Sequence, residues 1–157
     1  MDATFTITGP NDYAKTISYS EFQDGKYTLS DLPVGEYTVT EDEESTQVDN
    51  YTLVVTGSGN TATVAQDETA TIEISNVYTQ HTGSLVIEKT VSGAEMPADA
   101  TFTITGPNNY AKTIRYSEFQ NGQYKLTGIP VGEYTVTEDE ESAQVDNYTL
   151  VVTGSGA

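Results

Sequence analysis

The chain has 157 residues, 24 acidic against 6 basic side chains, a formal net charge of −18, and no cysteine or tryptophan. That charge repels nucleic acid and anionic lipid, which excludes both as electrostatic partners. The missing cysteine excludes disulfides, zinc–thiolate sites and thiol nucleophiles together.

Thr, Tyr, Val and Ile punctuated by Gly, Pro, Asn and Asp form a strand-and-turn composition. In chain order, Phe5 and Ile7 alternate with Thr4 and Thr6 as a first strand, and Gly9-Pro10-Asn11-Asp12 turns the chain. Ser20-Glu21-Phe22 reads as a single helical turn. Tyr27 and Leu29 follow the Asp24-Gly25 turn, and Asp31-Leu32-Pro33-Val34-Gly35 leads into Tyr37-Thr38-Val39. The acidic run Glu41-Asp42-Glu43-Glu44 comes next, and it lacks the interleaved spacing and glycine of a calcium loop, so it reads as a solvated loop. Strands are expected over 51–55, 62–64 and 71–74, and another at Leu85. No segment holds helical spacing and none reaches membrane-spanning length. Short strands with turns every ten or so residues predict an all-β chain of antiparallel β-sandwiches.

The chain also repeats itself. Residues 2–59 return as 99–156 with nine substitutions, an offset of 97 residues. A period near a hundred residues is a whole domain rather than a solenoid repeat. The segment 83–91 precedes only the second copy, and 61–79 follows only the first. The expected organisation is a first repeat over 1–79 without an opening lysine strand, a short polar linker over 80–83, and a second repeat over 84–157 without a closing asparagine strand. Met1 precedes sequence already inside the repeat, so the chain reads as an excised piece of a longer protein, and the missing signal and anchor carry no information about the parent.

Strand phase singles out three polar residues. Side chains alternate across a strand, so residues two apart share a face. Lys89 shares a phase with Leu85, Ile87 and Val91; Asn76 shares one with Ile72, Ile74 and Tyr78; Glu41 shares one with Tyr37 and Val39, repeated as Glu138 with Tyr134 and Val136. Burying an isolated charge costs several kcal/mol. A desolvated amine loses its proton readily and a desolvated carboxylic acid keeps its own. A neutral amine is a nucleophile, and a neutral acid can polarise a carboxamide and pass protons to leaving ammonia. The product, an amide from Lys Nζ to Asn Cγ, carries no charge, and proximity in a folded core would drive the step. The plainer readings stand beside this one. Lys89 could end its strand and reach solvent, Asn76 could be an amide satisfied by backbone, and Glu41 could belong to the acidic loop.

Gly83-Ser84-Leu85-Val86-Ile87-Glu88-Lys89, then Leu32-Pro33-Val34-Gly35-Glu36-Tyr37 through Glu41 (repeated from Ile129-Pro130 to Glu138), then Ile74-Ser75-Asn76-Val77-Tyr78 resemble the Cna B-type (prealbumin-like) domains of Gram-positive surface adhesins and pilins. The resemblance implies a prealbumin-like, Ig-like Greek-key sandwich that forms a Lys–Asn isopeptide bond spontaneously. It gives Lys89 the role of amine, Asn76 that of acceptor, and Glu41 and Glu138 that of catalysts. It also implies a stalk or adhesin module on the outside of a cell wall, with neighbouring repeats as partners.

In that family the lysine and asparagine strands lie parallel and adjacent. Four linking residues reach roughly 14 Å, too short for a parallel return, so Asn76 and Lys89 are not expected to meet within one molecule. The native bonds are then absent from this chain, or strands are exchanged in a homo-oligomer. The expected function is a structural spacer with single-turnover crosslinking, no enzyme turnover, no cofactor, no metal and no membrane contact. The alternatives are a ligand-binding adhesin domain touching host matrix or glycan, and a fragment made for strand exchange or ligation. His81 stands without a second metal ligand or a triad, and Lys15 and Lys112 read as surface charges. Tyr13, Tyr19, Phe22 and Tyr27 read as core and cross-strand packing.

Overall fold

Phe5 and Ile7 bury while their threonine neighbours stay out, and this alternation fixes the first strand to one face of a sheet. The computed structural model describes residues 2–156 and is all-β, with tandem antiparallel β-sandwich units over Met1–Gln80 and His81–Ala157. The first unit contains β1 (Thr4–Thr8), β2 (Ala14–Ser18), β3 (Gly35–Glu41), β4 (Tyr51–Thr56), β5 (Asn60–Val64) and β6 (Ser75–Gln80). They form one sheet in the order β2-β1-β3-β5 and a second from β4 and β6. The second unit contains β7 (Thr82–Glu88), β8 (Thr101–Thr105), β9 (Ala111–Arg115), β10 (Gln123–Pro130) and β11 (Thr135–Glu138). Here the sheets are β11-β8-β9 and β10-β7.

Each unit has its own core. Phe5, Ile7, Ile17 and Tyr37 centre the first, and Phe102, Ile104, Ile114, Leu126 and Ile129 the second. The Pro-x-Gly-x-Tyr turn has a physical reason. A Cβ on Gly9 would lie 2.3 Å from the Tyr37 ring, and one on Gly35, at φ +144°, would lie 2.9 Å from Pro10. The Tyr37 hydroxyl donates to the Pro33 carbonyl at 2.9 Å, and Tyr134 repeats the bond to Pro130 at 2.7 Å. These contacts lock the entry to β3.

Near-identical sequences take different structures in the two units. Residues 123–130 form β10 because β7 lies antiparallel to them, with Leu85 opposite Leu126 and Ile87 opposite Tyr124. Their counterparts 26–33 pair with no strand among the described residues. Leu126 and Ile129 are buried, while Leu29 and Leu32 are half-buried. The converse holds for Tyr-Thr-Leu-Val-Val-Thr. It is strand β4 at 51–56, where β6 pairs with it, and irregular at 148–153. Likewise β3 runs seven residues, the first five paired with β5, whereas β11 runs four.

Several expectations change. The segment 71–74 is not a strand; Ile74 packs on the core, but no ladder reaches it and pairing begins at Ser75. Within 80–83, Gln80 pairs with Tyr51 and Thr82 with Pro130, and the His81 carbonyl accepts from the Val131 amide at 3.2 Å. The helical turn falls one residue early, as 3-10 turns over Tyr19–Glu21 and Tyr116–Glu118. The acidic run is partly helical over Glu43–Thr46. Asp42 caps this turn, accepting from the Glu44 amide at 3.2 Å. Carboxylates at a helix start face the positive end of the peptide dipoles, which favours them there.

Candidate functional site

The end of β3 carries Glu41 inward because it keeps the phase of Tyr37 and Val39. It is 3 % exposed. Its backbone amide donates to Ser58 Oγ at 2.9 Å, and Oε1 accepts from Asn76 Nδ2 at 2.5 Å. Asn76 reaches it from β6, where it lies opposite Val55. The other carboxylate oxygen, Oε2, is buried without a hydrogen-bond partner.

The second unit builds the same pocket with the other occupant. Glu138 ends β11, is 7 % exposed, and donates its amide to Ser155 Oγ at 2.8 Å. Its Oε2 accepts from Lys89 Nζ at 2.6 Å, while Oε1 is buried without a partner. Lys89 follows β7, and its backbone amide donates to the Gly122 carbonyl at 2.7 Å. Its side chain is 19 % exposed, and the ammonium lies 6.0 Å from the centre of the Phe102 ring.

All four residues singled out in the sequence therefore line glutamate pockets. Asn76 lies with Glu41 in the first unit, and Lys89 lies with Glu138 in the second. The arrangement can orient a carboxamide in one case and an amine in the other. Solvation of Lys89 and of Glu41 in an open loop, the plainer readings, is not what is observed.

Sequence reasoning passed over the serines. Ser58 and Ser155 sit in the repeated Gly-Ser-Gly turn, whose last glycine amide donates to Val39 or Val136 at 2.7 Å. That turn ties down the strand end from which each glutamate projects. The signal was a Gly-Ser-Gly at a fixed distance after each glutamate, legible only once the glutamate mattered. Lys15 and Lys112 lie elsewhere, on edge strands. Lys15 Nζ donates to the Tyr27 hydroxyl at 2.7 Å, and this bond raises the lysine above its ordinary value; Tyr124 does the same for Lys112. Among the described residues no group of three His, Asp or Glu side chains converges to hold a metal.

A sequence-family profile described as a domain of unknown function, DUF5979, matches residues 2–79 and again residues 85–157. The chain belongs to the DUF5979 family. Its two DUF5979 matches span the residues of both glutamate pockets. The curated proteins and the solved structures compared with the chain give no match.

Proposed function

We propose that this chain is a structural spacer module of a repetitive bacterial surface adhesin or pilin, exposed outside the cell wall, whose intact domain joins a lysine to an asparagine beside a buried glutamate. One observation carries the reading. Equivalent glutamates hold the two would-be reactants, the carboxamide at Glu41 and the amine at Glu138, and each carboxylate keeps one further oxygen buried without a partner. The resemblance to Cna B-type domains supports the same assignment.

The chemistry follows from the contacts. The Lys89–Glu138 pair is linked at 2.6 Å, so moving one proton from Nζ to the carboxylate produces a neutral amine and a carboxylic acid together. The amine then attacks Asn Cγ and an Nζ–Cγ bond forms; the acid protonates Nδ2, the Cγ–Nδ2 bond breaks, the surplus proton on the attacking nitrogen passes to the carboxylate, and the departing ammonia carries that proton away as ammonium. Asn76 Nδ2 donates to Glu41 Oε1, and this contact holds the carboxamide at the carboxyl group. The glutamate returns to its starting state, but the bond forms once, so there is no turnover. Neighbouring repeats are the natural partners, and a strand-exchanged homo-oligomer is a second form of the same pairing.

The test is an extended chain in which a copy of residues 82–98 is placed directly before Asp2. Its intact mass should fall short of the sequence mass by about 17 Da, one ammonia. Replacing the transposed lysine by alanine should restore the full mass. A full mass in the unsubstituted extended chain would rule the amide out.

A further inference from the structure

We infer that Asn121-Gly122 is a second self-reacting asparagine site: the Asn121 carboxamide loses ammonia to the Gly122 backbone nitrogen, and the cyclic imide takes up water to leave an aspartyl or isoaspartyl residue in the turn that holds Lys89. Its nucleophile is the main chain and its place is a hairpin tip, so the reaction proceeds with or without the amide proposed above.

The turn leaves both reacting groups loose. Of the asparagines in the sequence, only Asn121 precedes glycine, which has no Cβ to shield its backbone nitrogen. Gln120 and Gln123 exchange backbone hydrogen bonds of 2.8 and 3.0 Å and close the hairpin around Asn121 and Gly122. Asn121 is exposed, and neither its side chain nor the Gly122 amide has a hydrogen-bond partner among the described residues. Asn76 is the opposite case, with its carboxamide held at Glu41 and a β-branched valine next in the chain.

The reaction balances with water alone. Gly122 N attacks Asn121 Cγ, the N–Cγ bond forms, the Cγ–Nδ2 bond breaks, and the proton of the Gly122 amide departs on ammonia. Water then opens the imide. Attack at Cγ gives aspartate. Attack at the main-chain carbonyl gives isoaspartate, whose backbone runs through the side chain and is longer by one methylene. Either product adds a negative charge to the turn.

The two products differ in how they fit. Asp24-Gly25 in the first unit makes the same turn as Asn121-Gly122, with φ of +50° and +74° against +51° and +75°. Gln23 and Lys26 close it with bonds of 2.8 and 2.9 Å, so an aspartyl residue leaves the hairpin intact. The isoaspartyl residue has no such room. The Gly122 carbonyl accepts from the Lys89 amide at 2.7 Å, and a Cβ on Gly122 would lie 2.9 Å from the Lys89 carbonyl. A longer main chain here has to displace the Gln120–Gln123 pair or push on Lys89, whose ammonium is the partner of Glu138. The isoaspartyl form therefore loosens the end of β7.

The experiment incubates the whole chain at mildly alkaline pH and follows the tryptic peptide of residues 116–125, with synthetic peptides carrying aspartate or isoaspartate at position 121 as standards. That peptide should gain about 1 Da and resolve into both products, slowed less than about a hundredfold relative to the free peptide, because an exposed turn opens at little cost. Greater slowing, or earlier reaction at another asparagine, would overturn the inference. Asn121→Asp should keep the hydrogen exchange of the unreacted chain over 82–91, whereas the isoaspartyl fraction, separated by chromatography, should exchange there about tenfold faster. Equal exchange in the two would refute the strain at Lys89. Lys89→Ala removes the amine of the amide proposed above and should leave the mass gain in 116–125 in place, so failure of one reaction is read apart from failure of the other.

Discussion

The sequence Thr-Gly-Ser-Gly occurs at 56–59 and at 153–156 with nearly the same backbone, Gly57 at φ +86° and Gly154 at φ +79°. Alanine at either site carries the cost of a left-handed L-residue, about 1–2 kcal/mol. Only at Gly57 is there a second cost. A Cβ there would sit 2.1 Å from the Glu73 carbonyl oxygen, while at Gly154 nothing lies within 4 Å. The Glu73 backbone must shift, and forcing an atom into packed surroundings typically costs about 1–3 kcal/mol more. Gly57→Ala should therefore lose about 2–5 kcal/mol and Gly154→Ala about 1–2. In a domain of this size 1 kcal/mol moves the midpoint by about 4–8 °C, so the gap between the variants is measurable. Hydrogen exchange reads each unit separately, because peptides spanning Thr46 and Ala143 differ in mass. Gly57→Ala should accelerate exchange over 75–80, since the displaced segment leads directly into β6. Equal losses for the two variants, or unchanged exchange over 75–80, would refute the claim that 71–74 packs against the turn that holds Glu41.

Lys89→Ala strips Glu138 of its cation and leaves a carboxylate 4 % exposed; it should destabilise the second unit by about 2–4 kcal/mol, with Lys89→Met combined with Glu138→Gln recovering most of the loss in denaturant titrations. Leu126→Ala should cost about 2–4 kcal/mol by exchange at the global limit and Leu29→Ala clearly less, because β7 buries only the former; equal costs would contradict the pairing. Burial pushes the phenols of Tyr37 and Tyr134 above their ordinary value. Their neutral forms are favoured in the fold, so this stability is fully present below the unfolded phenol value and is lost as pH rises through the folded ones. Ultraviolet titration should show two of the 11 tyrosines ionising last, and Tyr37→Phe should remove one of them.

Strand alternation made the sandwich legible, because inward phase is a local property: Phe5, Ile7 and Ile17 bury as their spacing requires. The same phase pointed Lys89, Asn76 and Glu41 inward, and those three side chains do reach the carboxylate pockets. Pairing is not local, and there sequence reasoning fell short. Nothing within Tyr-Thr-Leu-Val-Val-Thr distinguishes 51–56 from 148–153, yet one is strand and the other is not. The difference comes from β6, which lies beside only one of them. The 71–74 segment failed for the same reason, since β-propensity without a neighbour does not make a ladder. The capped turn at Glu43–Thr46 was hidden by its charge. Acidic residues suggest solvent, but their dipole and capping role appears only when the start of the helix is seen.

The paired vacancies constrain the intact site more tightly than either unit alone. A buried carboxylate oxygen without a partner costs about 1–3 kcal/mol, and this chain carries one in each unit. None of the nine substitutions between the copies lies in β3, in β11 or in the turns that hold Ser58 and Ser155, so the pockets differ only by which strand is present. In each unit the strand present uses one carboxylate oxygen and leaves the other without a partner. Under the proposed reading, both strands on one unit would offer a donor to each oxygen, an amine and a carboxamide on the same acid. Satisfying that carboxylate and assembling the reactants are thus one geometric requirement. In the proposed reaction, the departure of ammonia would remove the positive charge that pairs with the buried carboxylate and leave a neutral amide between the strands.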